Sequence, residues 1–125
     1  MANHQRPINL DLSSLKHPPM AIASILHRIS GIVLFLLLPF MLYVLDQSLQ
    51  TVVSFDMLHT TLANPYYKLL LWVFSAALVY HMLAGIRHVC MDMGFGENVS
   101  AGRRSAIIVI LLAIILTIIL GVCIW

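Results

Sequence analysis

Three stretches of this chain are long and apolar enough to cross a lipid bilayer, and they limit its fold more than any other feature. A hydrocarbon core about 30 Å thick takes roughly 20 residues of helix to cross. The first stretch runs from about Ala21 to Leu45 and closes at Asp46. The second, LLLWVFSAALVYHMLAGI, runs from Leu69 to Ile86 between Lys68 and Arg87, and the third, Ala106 to Trp125, has no charged residue. Of the whole chain 61% is hydrophobic and 10% charged, against about 25% charged in an ordinary globular chain, so the composition argues against a soluble domain. The expected fold is an all-α membrane protein of one domain over 1–125, with three transmembrane helices at approximately 21–46, 66–92 and 104–125. Loops with Gly, Pro and Asn, among them ANPYY and DMGFGENVSAGRRS, separate the spans.

Basic residues near helix ends are retained on the cytoplasmic side. Arg6, Lys16 and Arg28 precede or open the first span, and Arg87, Arg103 and Arg104 flank the second loop; only Lys68 falls on the other face. The N-terminus is therefore expected inside and Trp125 outside, in the periplasm for a bacterial inner membrane. The net charge of +2 then concerns topology and not nucleic acid. The first apolar run begins some twenty residues in and is too long for a signal h-region, so it is expected to stay in the mature protein. Cys90 and Cys123 have no metal-ligand spacing and read as apolar filler.

Ionisable groups at membrane depth are costly, and their position points to function. In SILHRISG, Ser24, His27, Arg28 and Gly31 follow i, i+3, i+4, i+7 spacing and form one stripe. In YHMLAGIRHVCMD, His81, Gly85, His88 and Asp92 fall within about 60° of one another, a second stripe. Both lie toward the inner half of the membrane. Pro39, inside the first span, is expected to kink it. The third span has only Ser105 and Thr117 as polar side chains and reads as support. The plainer readings stand beside these: Arg28 near enough to the interface to snorkel, Arg87 an interface anchor, His88 and Asp92 a surface pair, His81 a packing residue.

A histidine on a membrane helix with a glycine one turn on is what axial ligation of haem requires: a neutral imidazole on iron and close backbone approach to the porphyrin. His81 and His88 share a face roughly 10 Å apart, so they cannot both ligate one iron. The second ligand is then His27 or a residue of a partner subunit. Basic side chains at the inner edge suit haem propionates, and Ser24 with Arg28 suits the carbonyl oxygen of a quinone arriving through lipid.

Taken together, RPINLDL (Arg6 to Leu12), SILHRISG and H-x3-GIRH-x3-D-x-G (His81 to Gly94) resemble the cytochrome b556 subunit family of succinate dehydrogenase, most closely in its gammaproteobacterial form. The likeness covers nearly the whole chain. It implies a membrane-anchor subunit that, with a second three-helix anchor subunit, holds a flavoprotein subunit and an iron–sulfur subunit on the cytoplasmic face and passes electrons from succinate to ubiquinone. It implies one haem b shared with the partner anchor, with His81 as this chain's iron ligand. Ser24 and Arg28 fall on the family's quinone-binding positions, and the resemblance implies that His27 and Arg28 lie near a propionate. Gly85 is expected at the haem approach, and Arg87, His88 and Asp92 are weaker site candidates. Succinate oxidation is not expected of this chain alone, which has neither a dinucleotide fingerprint nor a cysteine cluster. Two alternatives differ in class: a purely structural, haem-free anchor, and the quinol-oxidising anchor of a fumarate reductase.

Overall fold

Backbone groups in hydrocarbon must be satisfied within the protein, which helices achieve without help from neighbours. The computed structural model describes residues 19–96 and 98–125; the RPINLDL segment, Lys16, His4 and His17 lie outside them. Four helices follow in order: α1 (Pro19–Gln50), α2 (Val52–Leu62), α3 (Pro65–Asp92) and α4 (Val99–Ile124). Three of them, α1, α3 and α4, are long and apolar enough to span a membrane. At about 1.5 Å per residue, the 32 residues of α1 reach about 48 Å, so its ends extend beyond the hydrocarbon or the helix tilts.

The segment between the first two spans, expected as a loop, contains α2. Its start is specified locally by a capping box, in which Thr51 Oγ1 accepts from the Ser54 amide at 3.0 Å and Ser54 Oγ accepts from the Thr51 amide at 3.0 Å. Ser54 Oγ also donates to the Gln47 carbonyl at 2.9 Å, tying α2 back to the end of α1. Such a cap is invisible to a search for long apolar runs. Asn64 caps α3 ahead of Pro65, and Asn98 caps α4 through a 2.7 Å bond from the Ala101 amide. Between α3 and α4 the chain reverses through Gly94 (φ 86°) and Gly96 (φ 76°), left-handed positions that suit glycine.

The central element is α3, which packs most extensively on α4 and then on α1. The buried apolar and glycine positions are mostly small: Ala23 on α1, Ala84 on α3, Gly102, Ala106 and Ala113 on α4, with Leu58 of α2 added. No large side chain among the described residues is fully buried, and most large apolar side chains face outward. Helices in lipid gain little from hydrophobic burial against each other, so they approach closely through small residues and hydrogen bonds. At the far end of the bundle Trp72 Nε1 donates to the Thr117 carbonyl at 2.9 Å, and the Lys68 ammonium lies 5.8 Å from the Trp125 ring centroid. These contacts join the start of α3 to the end of α4. A Cβ on Gly121 would meet Trp72 Nε1 at 3.0 Å. Gly121→Val should therefore lower the thermal stability of the detergent-solubilised protein by about 1–3 kcal/mol through overpacking; an unchanged melting profile would mean that Trp72 is not held there.

Candidate functional site

At the crossing of α1 and α3 three imidazoles meet. The rings of His27 and His81 stack with centroids 4.2 Å apart and planes 23° from parallel, and His88 is tilted against His27 at 5.1 Å. One turn of α1 on from His27, Gly31 lets the His81 ring lie against the backbone; a Cβ there would be 3.2 Å from His81 Cε1. On α3 the His27 ring faces Gly85, with Nε2 3.7 Å from where a Cβ would stand, an ordinary contact distance. The flat group against Gly85 within this chain is thus the His27 ring. Tyr80 closes the crossing from the next position on α3 by donating its hydroxyl to the Ala23 carbonyl at 3.0 Å.

The oxygens around His81 favour one tautomer of its ring. Ser30 Oγ donates to the His27 carbonyl at 2.7 Å, and His81 Nδ1 lies 3.2 Å from that carbonyl oxygen and 3.1 Å from Ser30 Oγ. A carbonyl only accepts, and the one Ser30 proton is directed at it, so the pair is satisfied when Nδ1 is protonated and donates. Nε2 then holds the lone pair, and among the described residues no hydrogen bond engages it. His27 Nε2 is different: it is buried with no hydrogen-bond partner among the described residues. An unpaired polar atom at that depth is costly.

The two helical stripes divide in the fold. His27 and Gly31 turn toward α3 with Ser30, whereas Arg28 is exposed and Ser24 half-exposed on α1. On α3, His81, Gly85 and His88 gather around His27; Asp92 is exposed, and no ion pair joins it to His88. The expected surface pair at that helix end is therefore absent. Arg87 corrects a second expectation. It is not an interface anchor but is 8% exposed, because α4 supplies acceptors for its guanidinium: Nε donates to Ser105 Oγ at 3.0 Å and Nη2 to the Gly102 carbonyl at 3.1 Å. Ser105, read as mere support, is thus the α4 half of this tie. Ser30 and Tyr80 were missed as site residues. Ser30 stands three residues after His27, the spacing at which a helical serine bonds back to a carbonyl, and Tyr80 adjoins His81; both signals were present but shared by many helical residues.

The stacked geometry also bears on ligation. Axial ligands of one iron point nitrogens at each other from opposite sides of the ring, while His27 and His81 present faces to one another. His27 in this position is not the second ligand to an iron held by His81. Among the described residues no group of three metal-binding side chains converges on a point.

A three-span helical membrane protein with its polar side chains gathered at one helix crossing is the class defined by this architecture. The chain belongs to the family of succinate dehydrogenase/fumarate reductase transmembrane subunits, whose model matches residues 2–120. It is similar to the succinate dehydrogenase cytochrome b556 subunit of Coxiella burnetii, 48% identical over 124 residues covering 98% of this chain and 99% of the relative. It is also similar to the proteins of that name from Rickettsia typhi, 32% identical, and Rickettsia prowazekii, 31% identical, each covering 95% of this chain and 93% of the relative.

Arg87→Leu should loosen α3 from α4, since hydrogen bonds to a charged group contribute about 1.5–3 kcal/mol. Thermal unfolding in detergent would show a lowered midpoint for Arg87→Leu and a smaller loss for Arg87→Lys. Equal stability of all three proteins would mean that the tie contributes nothing.

Proposed function

We propose that this chain is the haem-bearing membrane-anchor subunit of a succinate dehydrogenase in a bacterial inner membrane, working with a second three-helix anchor, an iron–sulfur subunit and a flavoprotein subunit to deliver electrons to ubiquinone. The observation that carries the reading is His81, whose Nδ1 lies 3.2 Å from the His27 carbonyl oxygen and 3.1 Å from Ser30 Oγ at a membrane helix crossing, contacts that suit a proton on Nδ1 and a lone pair on Nε2. That is the arrangement by which histidine serves as a metal ligand, the other ring nitrogen fixing tautomer and orientation. When bound, haem b supplies a one-electron centre within the membrane. His81 Nε2 would hold its iron, and a further ligand would come from the partner anchor, since His27 stacks on His81. His27 Nε2, buried without a partner, would donate to a propionate. Gly85 would leave room for this approach on α3.

Arg28, exposed on α1 with Ser24 one turn before it, would donate to a quinone carbonyl, to a propionate, or to both. His88, beside His27, would help to hold that ring, and Asp92 would sit at the inner end of α3. The excess of basic residues around the α3–α4 turn and the first span favours the N-terminus inside, which brings this site to the side where the soluble subunits would dock. The names of the relatives favour succinate oxidation over fumarate reduction as the working direction.

In the intact complex, His81→Ala should remove or strongly weaken the b-type absorbance; an unchanged reduced-minus-oxidised spectrum would overturn the ligand assignment. For Arg28→Leu the expected result is a large loss of quinone reduction with succinate oxidation by an artificial acceptor retained. Equal loss of both activities would instead mark failed assembly, and full retention of both would remove Arg28 from the quinone site.

A further inference from the structure

We infer that Ser30 is a positioning residue for the iron ligand, setting both the orientation and the donor strength of the His81 imidazole; this rests on the proposed haem ligation by His81. Ser30 is 6% exposed, at the α1–α3 crossing. Its hydroxyl is used twice: Oγ–H donates to the His27 carbonyl at 2.7 Å, and the oxygen's lone pairs face His81 Nδ1 at 3.1 Å. The same carbonyl stands 3.2 Å from Nδ1. The Nδ1 proton is therefore shared between two oxygens, and those oxygens are themselves linked by a hydrogen bond.

Three consequences follow from this small ring of bonds. The flipped imidazole, which would put a carbon where Nδ1 stands, takes the ring N–H away from both oxygens. The other tautomer, with the proton on Nε2, sets the Nδ1 lone pair against the carbonyl oxygen. Only Nδ1–H with Nε2 free satisfies all three groups. Gly31, whose missing Cβ would lie 3.2 Å from His81 Cε1, lets the ring come near enough for the bonds to form. Acceptors on Nδ1–H also push electron density into the ring and make Nε2 a stronger donor, which favours oxidised iron over reduced iron. Ser30 thus holds the potential of the centre down.

Comparison of Ser30→Thr with Ser30→Val in the intact complex isolates the hydroxyl, because the two side chains share size and branching. Threonine in a helix retains the bond to the preceding-turn carbonyl, and valine cannot form it. The readouts are the midpoint potential of the b-type haem and the electron paramagnetic resonance spectrum of its oxidised form, neither of which depends on turnover. Ser30→Thr should keep the native potential and spectrum. Ser30→Val should shift the potential positive and broaden the spectrum as the ring loses its fixed orientation. If the two variants behave alike, whether both native, both shifted or both without haem, the hydroxyl is not what positions His81 and the inference is overturned. A native complex with no b-type band would overturn the haem reading itself, a result distinct from either variant pattern.

Discussion

A histidine ring inside a bilayer has two nitrogens to satisfy and no water to do it. At the α1–α3 crossing one of them is satisfied by a backbone carbonyl of a helix that has no other need for a side-chain partner. His81 Nδ1 meets the His27 carbonyl and Ser30 Oγ, and that contact fixes how far apart the two helices stand, which face of each is turned inward, and which nitrogen remains available. The stacked rings of His27 and His81 and the bare backbone at Gly31 are the steric conditions for it. Unpaired polar atoms in an apolar medium cost several kcal/mol on the order of a whole helix contact, so the crossing is specified by polar satisfaction more than by apolar area.

Elsewhere the bundle uses the same means. Ala84, Ala106 and Ala113 bring α3 and α4 together, and the Arg87 guanidinium and the Trp72 indole bridge them at opposite ends. Most large apolar side chains are left on the outside of the bundle. The result is an assembly of three spans in which the imidazoles meet at the α1–α3 crossing, with Arg28 exposed and Ser24 half-exposed beside it.

Much of this was legible in the sequence for physical reasons. Length and hydropathy alone identify α1, α3 and α4, because the bilayer imposes a minimum run of apolar residues. Helical spacing brings His81, Gly85 and His88 onto one face, and the structure gathers them around His27. The α1 stripe was legible only in part: i, i+3, i+4 spacing groups Arg28 with His27, but a helix crossing accepts a narrow arc, and Arg28 falls outside it. Ser30 was hidden because a serine that bonds its own helix looks like one that merely faces a neighbour. Arg87 was misread because a basic residue at a helix end is ordinarily solvated, and nothing in the local sequence announces that the carbonyl of Gly102 and the hydroxyl of Ser105 on another helix will receive it. The helix α2 was missed since its eleven residues are too short to span and depend on the Thr51–Ser54 cap.

The central claim is that His81 presents Nε2, and not Nδ1, to a haem iron while Nδ1–H stays on the α1 backbone. A density map of the assembled membrane complex, resolved well enough to orient the imidazole and place the porphyrin, addresses it directly. The result expected is iron bonded to His81 Nε2, with Nδ1 still within hydrogen-bond distance of the His27 carbonyl and Ser30 Oγ. Iron bonded to Nδ1, or a haem ligated without His81, would contradict it.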